Sequence, residues 1–182
     1  MTRNGGRRAA TIAVAWALAS CTSPPLVTTT PATSQGMVAV DPPAGKPNWV
    51  VKKAVAIGDV VGSRSPDASS PPAVGADAFR GALEQSLQSA GYLASGPKPR
   101  YHLNATLQVL DQPHFTIADD TNVKATVLYR LTGPGTNAQY TVTSNGTATF
   151  DESAMFGTRL RLADERAVQA NIEMLLKKLQ AF

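Results

Sequence analysis

The clearest regularity in this chain is a period of two. In residues 101–110, Tyr101, Leu103, Ala105, Leu107 and Val109 alternate with His102, Asn104, Thr106 and Gln108. In 123–131, Val123, Ala125, Val127, Tyr129 and Leu131 oppose Lys124, Thr126, Leu128 and Arg130. In 139–150, Tyr140, Val142, Ala148 and Phe150 oppose Thr141, Thr143, Asn145, Thr147 and Thr149. Successive strand side chains point to opposite faces, so these segments predict an antiparallel sheet with one dry and one wet side. Gly133-Pro134-Gly135 between the last two runs predicts a tight hairpin. A fourth strand is expected in 49–61, where Ala54–Ile57 is continuously apolar.

A second period, close to 3.6, occurs twice. Phe79, Ala82, Leu83, Leu87 and Ala90 make one apolar stripe, with Asp77 as the expected N-cap and Gly91 as the C-terminal stop. Val168, Ile172, Leu175, Leu176 and Leu179 make another, with Asp164 as the expected N-cap and Lys177-Lys178 at the negative end of the helix dipole. Residues 62–75, rich in Pro, Ser and Gly, read as a loop. The element order is β-α-β-β-β-α. It predicts an α+β two-layer sandwich: a four-stranded, mostly antiparallel sheet with two helices packed on one face.

The first 48 residues follow neither period. Arg3, Arg7 and Arg8 precede an apolar run over 9–19, too short to span a bilayer, and the small-residue zone Leu18-Ala19-Ser20-Cys21 follows. This arrangement resembles the bacterial lipobox. The resemblance implies a lipoprotein signal peptide over 1–20, cut before Cys21, and acylation of that thiol, palmitate included. Cys21 is the one cysteine of the chain, so no internal disulfide is available. Residues 21–48 hold six prolines among many Thr and Ser and are expected to be an extended, poorly packed tether, with 37–40 its one apolar island. A single domain is expected over 49–182.

Processing changes the charge picture. The formal net charge is +4, of which three units are Arg3, Arg7 and Arg8, leaving about +1 after cleavage. Lys52-Lys53 and Lys177-Lys178 read as isolated solvated pairs, and no basic stripe points to nucleic acid.

The topology also resembles the small envelope lipoproteins of Gram-negative bacteria, among them the LptE-like and YajG-type families. The matching stretches are "AFRGALEQSLQSAGYL", "YHLNATLQVL" directly after it, and the terminal "AVQANIEMLLKKL". The resemblance covers about residues 50–182 in topology. It implies a mostly non-enzymatic protein that binds partners or lipids, and it transfers no functional residue. Thr22, standing where an inner-membrane retention signal has Asp, favours the outer membrane, facing the periplasm.

Catalytic equipment is not legible. No Gly-x-Ser-x-Gly occurs, neither histidine has an evident serine partner, and Gly133-Pro134-Gly135 lacks the Lys and helix of a phosphate loop. No cofactor and no convincing metal set is expected; His114 with Asp119 and Asp120 is a weak grouping, more simply a polar turn. The expected working surface is the segment 151–162, which places Met155, Phe156, Arg159 and Arg161 together without a clear period. Met, aromatic and Arg side chains are enriched in interface cores. In the competing reading, Phe156 and Leu160 seal the sheet against the last helix. The functional expectation is a lipid-anchored accessory or assembly lipoprotein binding an envelope protein or lipid. The alternatives are an envelope hydrolase or transferase with an unrecognised active site, and a structural lipoprotein whose sheet edge augments a partner's sheet.

Overall fold

The computed structural model describes residues 30–41, 43–63, 74–113 and 120–182. A short helix α1 (Ser34–Met37) is followed by β1 (Val55–Val61), α2 (Ala76–Ser89), β2 (Tyr101–Asp111), β3 (Thr121–Gly133), β4 (Thr136–Ala148), a 3-10 turn at Phe150–Glu152, and α3 (Phe156–Gln180). The four strands form one sheet in the order β1-β2-β3-β4. β1 runs parallel to β2, joined by the α2 crossover, and the other neighbours are antiparallel. Helices α2 and α3 cover one face, which makes this the α+β sandwich expected from the two periods.

The dry face follows the alternation closely. Leu103, Ala105, Val123, Ala125, Val127, Tyr129, Leu131, Val142 and Ala148 are all buried. They meet Phe79, Ala82, Leu83 and Leu87 of α2 and Val168, Ile172, Leu175, Leu176 and Leu179 of α3, also buried. Full burial of the Val, Leu, Ile and Phe side chains among them contributes about 1.5–3 kcal/mol each. The opposite face is hydroxyl-rich, with Thr126 and Thr143 sharing a 3.1 Å hydrogen bond across β3 and β4.

Several positions depart from the period-two reading. The β2–β3 register shifts between Leu107 and Val109, so one extra residue turns the strand over. Val109, expected inside, is 48 % exposed, whereas Leu110 packs against the core. Phe150 lies in the 3-10 turn after β4, not in the strand, and is also exposed. Gly75, not Asp77, caps α2, and Asp77 sits in the first turn beside the positive helix end. Helix α3 begins eight residues before Asp164, which is a mid-helix residue and not a cap.

The stretch before β1 is also more ordered than its composition suggests. Residues 30–41 form a strap laid against α2 and α3, with Met37 fully buried. Thr33 caps α1, its hydroxyl accepting from Gly36 N. Further along, Ala39 N donates to the buried Ser86 Oγ at 3.0 Å, and Gln169 Nε2 donates to Val38 O at 3.1 Å. Residues 37–39 of the apolar island are the part that docks, with Val40 left exposed: Met37 supplies apolar area that offsets the cost of ordering a proline-rich chain.

One core feature gives a test of unusual sign. The Tyr129 ring is fully buried, its hydroxyl has no hydrogen-bond partner among the described residues, and burial pushes its ionisation far above the ordinary phenol value. An unsatisfied buried hydroxyl is a net cost. Tyr129→Phe is therefore expected to raise unfolding stability by about 1 kcal/mol, read from urea melts of the two proteins.

Candidate functional site

The segment chosen from sequence as the working surface lies at the junction of β4 and α3. After β4 the chain makes its 3-10 turn, closed by a capping box in which Thr149 and Glu152 exchange hydrogen bonds. Glu152 also pairs with Arg166, whose guanidinium reaches Thr147 O at 2.6 Å. This ion pair and the Thr149 amide hold the Glu152 carboxyl down at about 2, well below its usual range. Helix α3 then starts at Phe156, so residues 156–162 are helical and not loop.

That local structure separates the four candidate residues. Met155, the residue preceding α3, is 70 % exposed, and Phe156 is half-buried against the core. Arg159, expected at the surface, is instead fully buried. Its Nη1 donates to Ser153 O at 2.7 Å, and the guanidinium lies 5.2 Å from the Phe150 ring centre and 5.9 Å from that of Phe156. A planar, weakly hydrated cation between two ring faces is a stable buried arrangement. Arg159 therefore fastens the turn to the helix and is not part of a contact surface. Leu160 beside it is buried, as the sealing role requires.

Arg161 is committed as well. It is half-buried, and its Nη1 donates to both oxygens of Glu165 at 2.9 Å. Glu165 Oε1 accepts in addition from Thr33 N at 2.8 Å and from Thr33 Oγ1 at 2.9 Å. One carboxylate thus joins α3 to the strap, which no local sequence signal announces, because the partners are 132 positions apart.

Next to it, Asp164 is buried, held by Gln112 Nε2 at 2.8 and 2.9 Å. Burial pushes its carboxyl up to about 7, opposed by the Gln112 hydrogen bonds and aided by the Glu165 charge. A raised acid holds a proton in the native state that the unfolded chain, with an ordinary value near 3.8, has released. Stability therefore falls as pH rises from about 4 to about 7 and levels off above. Asp164→Asn is expected to flatten this slope and to melt higher than the parent at pH 8, a comparison that thermal scans across that range provide.

Among the other sequence candidates, His102 is exposed on the open sheet face. Cys21, His114 and Asp119 lie outside the described residues, and Asp120 accepts from Phe150 N. No group of three potential metal ligands occurs among the described residues. No helix among them is long and apolar enough to cross a membrane.

No family model matches the chain, and no curated protein matches it. Solved structures give distant likenesses. A candidate lipoprotein from Caulobacter crescentus is 12 % identical, with 71 % of this chain and 89 % of that chain covered and a TM-score of 0.42. A Xanthomonas campestris protein of the DUF330 family is 13 % identical over 76 % of this chain and 92 % of its own, at a TM-score of 0.40. A dodecameric PelC variant from Paraburkholderia phytofirmans is 14 % identical over 84 % and 93 %, at 0.41.

Proposed function

We propose that the protein is a lipid-anchored accessory or assembly lipoprotein of the cell envelope, facing the periplasm, probing an envelope protein or lipid by binding and not by catalysis. The observation that carries this reading is Leu18-Ala19-Ser20-Cys21, which follows a basic and apolar leader and precedes proline-rich chain. The packing of the strap adds to it. Docking from residue 30 onward leaves eight residues between Cys21 and the domain, a short stretch for an acylated N-terminus. At the β4–α3 junction Arg159, Arg161, Glu152 and Arg166 hold the turn, helix and strap together. The outer membrane is the assigned site, on the Thr22 argument.

The test is acylation. Cys21→Ser is expected to release the protein from the membrane fraction or to stall its processing, and to abolish metabolic labelling with palmitate. Unchanged membrane association together with an unmodified Cys21 by mass spectrometry would overturn the reading.

A further inference from the structure

The lysine pairs that look isolated along the sequence are brought together by the fold. Four segments build one end of the molecule: 43–54 before β1, 90–103 from the end of α2 into β2, 131–140 around the hairpin, and 174–182 closing α3. Their contacts are direct. Lys53 N donates to Gly91 O, and Arg100 N to Ala54 O. Gln180 Nε2 donates to Ala44 O and Asn48 Nδ2 to Gln180 O. The Tyr101 and Phe182 rings meet edge to face at 6.0 Å, and Lys178 Nζ lies 5.7 Å from the Tyr140 ring centre.

These four segments carry seven exposed cations and no Asp or Glu. Lys46, Lys52 and Lys53 come from the first; Lys98 and Arg100 from the second; Lys177 and Lys178 from the last. The remaining described residues carry eleven carboxylate side chains and six cations. A nearly neutral domain is thus strongly polarised. None of the seven forms an ion pair among the described residues. The nearest carboxylate along α3, Glu173, accepts from Val40 N. Trp49 stands among these cations 82 % exposed, and Val40 and Met174 are exposed on the flank.

We propose that this end docks on an anionic lipid bilayer, the cations facing lipid phosphates and Trp49 seated at headgroup level. Lysines near an anionic leaflet are attracted electrostatically, and Trp favours the boundary between headgroup and acyl chain. An acidic protein partner is the competing occupant, and the polyglutamate arm of the test below separates it from the bilayer. The proposal deepens the lipoprotein reading and rests on it for the membrane's proximity. Reach is sufficient. The strap enters beside Glu165 and runs along α3 to Gln180, about 22 Å by helical rise. The nine residue-to-residue steps from 30 back to Cys21 extend up to about 30 Å.

The test uses the full chain in a common background of Cys21→Ser, Trp16→Phe, Arg3→Gln, Arg7→Gln and Arg8→Gln. That background removes acylation and the leader's charge and leaves Trp49 as the one tryptophan. On phosphatidylglycerol vesicles, Trp49 emission is expected to shift to the blue. Adding Lys46→Gln, Lys52→Gln and Lys177→Gln is expected to weaken vesicle binding about a hundredfold, at roughly five-fold per cation, with the thermal midpoint almost unmoved. Unchanged binding by the triple variant, or an unmoved Trp49 emission, overturns the proposal. So does capture of this end by polyglutamate with no vesicle binding, which would assign it to an acidic protein. Acylation is read separately on the wild-type chain. A chain that is not acylated but meets these expectations sinks the anchor alone. An acylated chain whose background form ignores the vesicles sinks the docking surface alone.

Discussion

Gly146→Ala is expected to destabilise the protein by about 3 kcal/mol or more, at the upper end of what overpacking costs. Gly146 lies in β4, where α3 crosses close over the sheet. A Cβ there would overlap Ala163 O and Ala167 N, and would lie 2.9 Å from Ala167 Cα. All three are backbone atoms of α3, so no side-chain rotation relieves the clash and the helix must move. The contact it would disturb is already specified by polar bonds. Ser144 Oγ donates to Ala167 O at 2.6 Å, and Asn171 Nδ2 donates to Val142 O and to Ser144 Oγ at 2.9 Å. Gly96→Ala is the matched control, because nothing lies within 4 Å of its added methyl. Urea unfolding of the two variants should separate them clearly; equal midpoints would mean that α3 sits farther from β4 than the structure shows.

Arg159→Ala is expected to cost about 3 kcal/mol, through lost packing and a lost charge-assisted hydrogen bond. The substitution leaves Ser153 O without the guanidinium and opens a space between the Phe150 and Phe156 rings. Arg159→Lys is expected to recover little, since an ammonium neither stacks on rings as a plane nor fills the same volume. An exposed arginine would instead change stability by a few tenths. A melting midpoint for Arg159→Ala within that small range would return the residue to the surface, with the contact role that its sequence context suggests.

The contrast between these residues shows what sequence patterning conveys. Leu103, Val127 and Tyr129 were legible because a strand with one dry face must alternate, and only their identity mattered. Leu175 and Leu179 were legible through helical spacing. Arg159 and Arg161 were misread because 151–162 shows no clear period, and α3 starts after Met155, which makes no side-chain cap that would mark a helix start. Their partners add to the difficulty: Phe150 and Ser153 lie in an aperiodic turn, and Glu165 is shared with Thr33 at the far end of the chain. Val109 failed for a different reason. A one-residue register shift inverts everything after it, and no residue type in "TLQVL" marks the bulge. The basic end was invisible because charge clustering across four segments is a property of topology. Each lysine pair alone carries no more than local meaning.

The strap has a mechanical consequence. Its bonds to the domain lie in series along α3: Thr33 on Glu165, Val38 on Gln169, Val40 on Glu173, then Ala44 on Gln180. A pull from residue 30 directed back toward the Gln180 end of α3 therefore loads the Thr33–Glu165 contact first and the others in turn, so the attachment peels and does not shear. Peeling needs only a small force at any moment, because one contact bears it. The sheet, whose strands are reached only after β1 itself is loaded, stays whole while the strap pays out. Tension from the N-terminal side is thus absorbed as added slack before it can unfold the sandwich.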